Sequence, residues 1–377
     1  MAVDSPGAGG VAGSELLAGR FDVLLLDLDG VIYLGSSAVP HAVESLTAVQ
    51  TTLGLRCAYV TNNASRTPRS IADQLRGFGL HLSDRDIVTS AQAGVRVLHE
   101  CVPAGAKVLV VGGPGLREEV ELGGFVAVES ASEQPAAVIQ GFFPDVTWRR
   151  LAEATFALRA GAVFVATNAD VTIPVEGGIA PGNGLLVGVV SQASGVQPTV
   201  AGKPEPPLML ESVARTAAQR PLVVGDRLDT DILGAGRSDL PSLLVLTGVS
   251  DVADIFQAEG LSRPTYLGLD LRSLLEPSTK AEVVRDEAGA MTSVCRQTVA
   301  SIEDGRLTLV GDNGDQEGPT TGGSWQLGQS SDPSAAGRWL DGLRAASALA
   351  WAARDAGLEV DCSHAIDELQ ERRPHSE

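Results

Sequence analysis

The stretch Phe21-Asp22-Val23-Leu24-Leu25-Leu26-Asp27-Leu28-Asp29-Gly30-Val31-Ile32-Tyr33 decides how the chain folds. Its apolar run, Val23–Leu26, is typical of a buried strand in a parallel sheet. Such a strand does not normally end on two unpaired carboxylates, yet Asp27 and Asp29 follow at once. Either these acids cap a turn, because Asp before Gly is ordinary turn chemistry, or a charged partner neutralises them.

The composition limits the class of protein and its partners. With 377 residues, of which 44% are apolar and 20% charged, the chain is long enough for two or three globular domains. A net charge of -19 opposes binding to nucleic acids and to anionic membrane surfaces, although a small anionic substrate remains compatible with it. No apolar run approaches the roughly 18 residues of a membrane span, so we expect no membrane insertion.

The amino-terminal segment and the cysteines indicate the compartment. Residues 1–20 are rich in Gly, Ala and Ser and lack the pattern of a signal peptide, so we expect a flexible segment there. The cysteines are far apart and form no CxxC pair: Cys57, Cys101, Cys295 and Cys362. Free thiols of this kind suit a reducing cytoplasm.

Polar residues follow two more predicted strands. The run Leu55–Val60 ends in Thr61-Asn62, and Pro221–Gly225 leads into Asp226-Arg227-Leu228-Asp229-Thr230-Asp231. In alternating strand and helix sequences of this kind, ligands bind where the carboxyl ends of the strands meet. Three acids within six residues would repel one another without a cation. This second acidic segment favours a charged site over a turn cap for Asp27 and Asp29.

Three other segments leave alternatives open. Lys203, between Gly202 and Pro204, lies either in a close-packed turn or, as most lysines do, on the surface. The turn Gly112–Gly115 is more typical of a tight strand-to-helix connection than of a nucleotide site. The loop Asn168–Gly184 is equally compatible with a binding loop and with a plain connector.

Four segments in this order resemble the motifs of haloacid dehalogenase (HAD) superfamily phosphatases: Asp27-Leu28-Asp29-Gly30-Val31, Thr61-Asn62, Gly202-Lys203-Pro204 and Gly225-Asp226-Arg227-Leu228-Asp229-Thr230-Asp231. The residues of these segments are similar to those of the type IIA, NagD-like branch. The resemblance covers residues 21 to about 275. It implies an α/β protein with a HAD-like Rossmannoid three-layer α/β/α core at residues 21–89 and 198–276. An inserted α/β cap of the C2 type would occupy residues 90–197 and would select the substrate.

The resemblance also implies roles for individual residues. Asp27 would be the nucleophile that forms an aspartyl phosphate, and Asp29 the general acid and base. Thr61, Asn62 and Lys203 would bind the substrate phosphate, with Lys203 also contacting the nucleophile. Mg²⁺ would be held by Asp27, the backbone carbonyl of Asp29, and Asp226, while Asp231 would orient this metal site from behind.

Residues 277–377 lie outside the general resemblance and predict a small α+β appendage. Val299–Ile302 and Leu307–Val310 are typical of short strands, and Trp339 to Trp351 of a helix with one apolar face. A phosphatase with such a tail resembles the actinobacterial glycerol 3-phosphate phosphatases, which implies glycerol 3-phosphate as substrate in phospholipid head-group recycling. Phosphoglycolate, a nucleoside monophosphate or pyridoxal phosphate remain alternative substrates.

The sequence leaves open whether the protein is an enzyme or a binding protein, and whether it forms a homodimer. A regulatory ligand-binding protein on the same scaffold is the alternative to an enzyme that acts on a small phosphorylated metabolite. Caps of this branch often contribute to dimer contacts, which implies a homodimer.

Overall fold

The computed structural model describes residues 16–175, 177–310 and 333–374. The first part of the chain forms β1 (Val23–Leu26), β2 (Tyr33–Leu34), β3 (Ser37–Ala38), α1 (Ala42–Thr52), β4 (Arg56–Thr61), α2 (Pro68–Gly77), β5 (Ile87–Thr89) and α3 (Ser90–Cys101). The second part forms β6 (Lys107–Val111), α4 (Pro114–Leu122), β7 (Val126–Val128), β8 (Ala137–Gln140), α5 (Trp148–Arg159), β9 (Val163–Ala166), β10 (Thr172–Val175), β11 (Gly178–Pro181), α6 (Asn183–Ser194) and β12 (Thr199–Val200).

The chain then returns to the first sheet. This part contains α7 (Pro206–Thr216), β13 (Pro221–Gly225), a π-helical turn at Leu228–Ile232, α8 (Leu233–Arg237), β14 (Ser242–Val245), α9 (Val252–Gln257) and β15 (Tyr266–Gly268). The carboxyl-terminal part contains β16 (Glu282–Arg285), β17 (Met291–Cys295), β18 (Thr298–Glu303), β19 (Arg306–Val310), α10 (Pro333–Asp355) and α11 (Ser363–Glu371).

The central sheet is parallel and has the strand order β15-β14-β13-β1-β4-β5. Residues of β1 alternate between its two faces: Leu24 and Leu26 pack in one apolar cluster, and Val23 and Leu25 pack in another. Helices cover both faces, which confirms the predicted three-layer α/β/α architecture. Because β1 lies between β13 and β4, the segments that follow these three strands meet at one edge.

A second sheet, with the order β12-β9-β8-β6-β7, is formed by the inserted residues. One apolar cluster joins this sheet to the central one, since Val110 and Ile139 pack in the same cluster as Val23 and Leu208. The inserted α/β unit of the predicted fold is therefore present and rests directly on the core. The exact boundaries of the cap, 90–197, stay a prediction.

The segment Asn168–Gly184 is not a long loop. It contains the antiparallel hairpin of β10 and β11, in which Ile173 pairs with Ala180, and its last residues begin α6. Alternation between polar and apolar residues is weak here, so the sequence pattern did not predict strands. At the other end of the chain, residues 1–15 lie outside the described residues, whereas Leu17 is buried and donates a backbone hydrogen bond to Glu276. The ordered core thus begins before Phe21.

The carboxyl-terminal appendage packs against the core. Its sheet has the order β16-β17-β18-β19, of which only the last two strands were predicted, and α10 lies across it. The apolar cluster of this appendage also contains Leu244 and Phe256 of the core, together with Leu228 and Ile232 from the π-helical turn. The Trp351 indole donates a hydrogen bond to the carbonyl of Ile255 at 2.9 Å. The appendage therefore packs against the segment of the core that carries Asp226 and Asp231.

We expect Trp339→Ala to lower the free energy of unfolding of the full chain by about 3–5 kcal/mol. The Trp339 ring is fully buried in the appendage, and its Nε1 donates a hydrogen bond to the Leu369 carbonyl at 2.8 Å. Trp148→Ala is the matched control, because that ring is 81% exposed and its loss should change stability by no more than about 0.5 kcal/mol. Denaturant unfolding measures both variants, and equal effects would contradict the packing described here.

Candidate active site

Asp27 lies immediately after the buried strand β1, where its backbone N–H donates to the Val224 carbonyl at 2.8 Å. The chain then turns sharply at Gly30, whose φ is +83°. A Cβ at Gly30 would lie 2.5 Å from the Asp226 Oδ2, so only glycine allows the two acidic segments to approach this closely. The first turn thus brings Asp27 against the segment after β13.

Lys203 is the partner that neutralises Asp27. Its side chain is 3% exposed and donates to Asp27 Oδ1, to Asp231 Oδ1 at 2.7 Å and to the Val60 carbonyl at 3.4 Å. The alternative of a solvated surface lysine is wrong, because the side chain is buried and pairs with two carboxylates. The turn-cap interpretation of Asp27 is also wrong, since its carboxylate pairs with a buried ammonium.

Three carboxylates converge next to this lysine. One oxygen from each of Asp27, Asp226 and Asp231 lies within 4.8 Å of the others. Asp226 Oδ2 accepts a hydrogen bond from the Val249 N–H at 2.7 Å, while its buried Oδ1 has no hydrogen-bond partner among the described residues. A buried carboxylate oxygen without a donor, surrounded by further carboxylates, suits a hard divalent cation such as Mg²⁺.

The pKa values of Asp27 and Asp226 are raised by burial first and by the repulsion between the carboxylates second. Burial raises the pKa of Asp27 well above its ordinary value, against the opposing effect of Lys203, and the charges of Asp231 and Asp226 raise it further. Burial, followed by the charge of Asp231, raises the pKa of Asp226 to about 7. For Lys203 burial by itself lowers the pKa, but the charges of Asp231 and Asp27 outweigh this and raise it. One ammonium balances three carboxylates only in part, so a cation would lower the free energy of the cluster.

Asp29 lies at the mouth of the site, and part of its carboxylate reaches solvent. Desolvation by the surrounding protein raises its pKa, against the lowering effects of Lys203, of Arg66 and of a hydrogen bond from the Tyr33 hydroxyl. A carboxyl group whose pKa is raised is protonated for a larger fraction of the time near neutral pH. This position, beside the buried cluster and open to solvent, is compatible with the proton-transfer role predicted for Asp29.

The predicted phosphate-binding residues lie beside Lys203, at the end of β4. Thr61 is buried, and its hydroxyl oxygen accepts the Asn63 N–H at 3.1 Å. The Asn62 side chain is fully occupied by protein partners: Oδ1 accepts the Lys203 N–H at 2.8 Å, and Nδ2 donates to the Lys203 carbonyl at 3.0 Å and to Asp170 Oδ1 at 3.1 Å. The Asn62 amide side chain thus holds the protein together at this point.

Two residues of the inserted unit reach the site and were missed by the sequence analysis. Asn168 donates to the Asn62 carbonyl at 2.7 Å, and the Asp170 carboxylate accepts from the Asn62 side chain. Both follow β9 directly. A polar tip after a predicted strand was the signal used in the core, and the same signal, Thr167-Asn168-Ala169-Asp170 after Val163–Ala166, was present here.

Comparison with known proteins places this geometry in a family. Residues 24–126 match a family model described as haloacid dehalogenase-like hydrolase, and residues 200–274 match one described as HAD-hydrolase-like. A D-glycerol 3-phosphate phosphatase of Mycobacterium tuberculosis is 45% identical over 285 residues, which are 74% of this chain and 80% of that relative. The chain belongs to the haloacid dehalogenase-like hydrolases. An acid sugar phosphatase of Staphylococcus aureus is 35% identical over 68% of this hydrolase and 97% of its own length.

Solved structures extend the match to the appendage of the hydrolase. A crystal structure of glycerol phosphate phosphatase from M. tuberculosis in complex with magnesium has a TM-score of 0.78 at 37% identity, covering 96% of this chain and 100% of the solved one. A double mutant of the thermostable NPPase from Geobacillus stearothermophilus covers 67% of the chain at a TM-score of 0.61. The predicted family and phosphatase activity are confirmed. Among the described residues no helix has the length and hydropathy needed to cross a membrane.

We expect Mg²⁺ to raise the melting temperature of the hydrolase more at about pH 8 than at about pH 6. An unfolded Asp loses its proton near pH 4, whereas folded Asp226 keeps it to about pH 7. Folding in this window takes up a proton, so the metal-free protein loses stability as the pH rises through it. A bound cation replaces that proton, and its effect therefore grows with pH.

Thermal shift with and without Mg²⁺ at the two pH values measures this effect. Asp226→Asn cannot titrate and should reduce both the shift and its pH dependence, while Asp229→Asn, whose carboxylate is exposed and paired with Arg227, should retain both. A shift in the wild-type protein that is equal at both pH values, or larger at the lower one, would show that Asp226 does not compete for protons and metal in this way.

Proposed function

We propose that this phosphatase hydrolyses glycerol 3-phosphate to glycerol and phosphate through a phosphorylated Asp27. The observation that carries the proposal is the buried Lys203 ammonium shared by Asp27 and Asp231, next to the unpartnered oxygen of Asp226. The Lys203 ammonium opposes the effect of burial on Asp27 and favours its carboxylate form, which is the form that attacks phosphorus. The ammonium offsets the repulsion between this nucleophile and an anionic phosphate.

The reaction has two steps on this chain. A carboxylate oxygen of Asp27 forms a bond to phosphorus while the bond from phosphorus to the glycerol oxygen breaks, and Asp29 gives its proton to that departing oxygen. Asp29, now a carboxylate, then takes a proton from a water whose oxygen attacks phosphorus. The bond between phosphorus and the Asp27 oxygen breaks, inorganic phosphate leaves, and Asp27 is again a carboxylate while Asp29 is again a carboxylic acid.

Charge and orientation come from the residues around Asp27. We assign binding of the phosphoryl oxygens to Lys203, Thr61 and the backbone at Asn62, since the Asn62 side chain is used within the protein. Asp27, the backbone carbonyl of Asp29, and Asp226 would hold Mg²⁺, with Asp231 fixing Lys203 behind them. When bound, Mg²⁺ supplies positive charge that attracts the phosphate and offsets the three carboxylates.

Glycerol 3-phosphate is favoured over other substrates by two comparisons. The relative that is 45% identical carries that activity in its name, and the solved glycerol phosphate phosphatase matches 96% of this chain, appendage included. The acid sugar phosphatase matches only 68% of this chain. Because of this relative, other small phosphomonoesters remain a second class of candidate substrates. Phosphoglycolate, nucleoside monophosphates and pyridoxal phosphate belong to this class.

The oligomeric state, the cellular location and the absence of a nucleic-acid partner are also proposals. Exposed apolar side chains on the inserted unit, among them Trp148, Phe156 and Ile179, favour a homodimer formed through the cap. The described residues include all four cysteines, each as a free thiol, which supports a cytoplasmic location. The net charge of -19 argues against a nucleic-acid partner.

A panel of phosphomonoesters assayed with and without Mg²⁺ tests the proposed activity. We expect glycerol 3-phosphate to give the highest kcat/KM, and phosphate release to stop when Mg²⁺ is chelated. Asp27→Asn should lower kcat by at least about a thousandfold, because it removes the nucleophile.

Asp229→Asn is the matched control, since it makes the same substitution at the neighbouring strand tip on an exposed side chain. It should keep kcat within about threefold of wild type, as expected for a surface substitution. Activity of Asp27→Asn near the wild-type level would contradict the nucleophile, and a higher kcat/KM for another panel member would contradict the substrate.

A further inference from the structure

The Asn62 side chain lies between Asp170 of the inserted unit and the main chain of Lys203, and it is hydrogen-bonded to both. Asn62 Oδ1 accepts the Lys203 N–H at 2.8 Å, and Asn62 Nδ2 donates to the Lys203 carbonyl at 3.0 Å. One amide group therefore fixes both polar groups of the Lys203 main chain. A Cβ at Gly202 would lie 2.6 Å from Asn62 Oδ1, which shows how tightly this contact is packed.

Asp170 holds this amide from the side of the inserted unit. Its carboxylate accepts the other Nδ2 hydrogen of Asn62, with distances of 3.1 Å to Oδ1 and 3.4 Å to Oδ2. A carboxylate only accepts hydrogen bonds, so Asp170 reinforces the orientation that the Lys203 main chain also requires, with the Asn62 nitrogen towards the cap and the oxygen towards the Lys203 N–H. Without this acceptor one Nδ2 hydrogen loses its partner and the amide loses its contact with the cap, which leaves the Lys203 main chain held from one side only.

The position of Asp170 depends in turn on the inserted unit. Its N–H donates to Asn168 Oδ1 at 3.3 Å, and Asn168 Nδ2 donates to the Asn62 carbonyl at 2.7 Å. Asn183, the first residue of α6, fixes Asn168 through a 2.8 Å bond to its carbonyl. A continuous series of hydrogen bonds thus runs from the cap helix through Asp170 and Asn62 to the lysine that contacts Asp27.

We propose that Asp170 is a positioning residue for the phosphoryl transfer, acting on Lys203 through the Asn62 amide. This inference rests on the role proposed above for Lys203. The cap then contributes to the chemical step as well as to substrate choice, because the segment Asn168–Asp170 supports the Asn62 amide that fixes the Lys203 main chain. Asp27 and Asp231 pair with the Lys203 ammonium. A displacement of the ammonium by about 1 Å is enough to cost on the order of a hundredfold in rate.

Steady-state kinetics of Asp170→Ala with glycerol 3-phosphate and with p-nitrophenyl phosphate test this proposal. We expect kcat to fall by about 10- to 100-fold for both substrates, with KM changed by less than about threefold, since the Lys203 ammonium stabilises the charge that develops during phosphoryl transfer more than it stabilises the bound substrate. Asp170→Asn keeps an acceptor oxygen and should restore kcat to within about fivefold of wild type. Asp170→Leu, of similar size but without an acceptor, should behave as Asp170→Ala does.

A double-mutant cycle gives the readout that a merely structural role would not change. If Asp170 acts through Asn62, the variant carrying Asp170→Ala and Asn62→Ala should be no slower than Asn62→Ala alone. Asp145→Ala removes an exposed acid of the same inserted unit and should leave kcat unchanged. Melting temperatures of all variants identify any that fail to fold.

The outcomes separate this inference from the proposed function. Unchanged kinetics in Asp170→Ala, a rise in KM alone, a loss limited to glycerol 3-phosphate, or additive effects with Asn62→Ala would each overturn it. Lys203→Met is the reference variant. If Lys203→Met is inactive while Asp170→Ala is fully active, only the inference on Asp170 is contradicted. If Lys203→Met is active, both the proposed role of Lys203 and the inference on Asp170 are contradicted.

Discussion

The site depends on one buried charge cluster: the Lys203 ammonium against the carboxylates of Asp27 and Asp231, with Asp226 beside them. Removing such charges from water is costly unless they are paired, and here one cation faces three anions. Burial, followed by the charge of Asp231, raises the pKa of Asp226 to about 7, and the uncompensated negative charge favours a further cation at this position. Unfavourable electrostatics in this cluster would be relieved by a bound cation, which agrees with the Mg²⁺ site and the nucleophile proposed here.

The rest of the fold holds this cluster in place. Adjacent parallel strands bring Asp27, Thr61 and Asp226 to one edge, and Gly30 allows the two acidic segments to touch. The π-helical turn that carries Asp231 is packed on the appendage through Leu228 and Ile232. The inserted unit reaches the same cluster from the other side through Asn62. Both additions to the core therefore bear on the geometry of the catalytic centre.

Much of this arrangement is predictable from the sequence, for a physical reason. Buried parallel strands are short apolar runs, and polar residues after them must meet at one edge, so the positions of Asp27, Thr61 and Asp226 along the chain are enough to group them. Lys203 was ambiguous because burial of a lysine depends on partners far away in the chain. The hairpin after β9, the strands β16 and β17 and the orientation of the Asn62 amide were missed. These features depend on tertiary contacts that leave no periodic signal in the local sequence.

The most direct test of the account is a search for phosphorylated Asp27. Asp29→Asn should still be phosphorylated by p-nitrophenyl phosphate, whose leaving group needs little help from an acid, but it lacks the base that activates water. Acid quenching of this variant with Mg²⁺, followed by peptide mass spectrometry, should find one added phosphoryl group on the peptide that contains Asp27. A phosphoryl group on another residue, or hydrolysis without any phosphorylated peptide, would contradict Asp27 as the nucleophile.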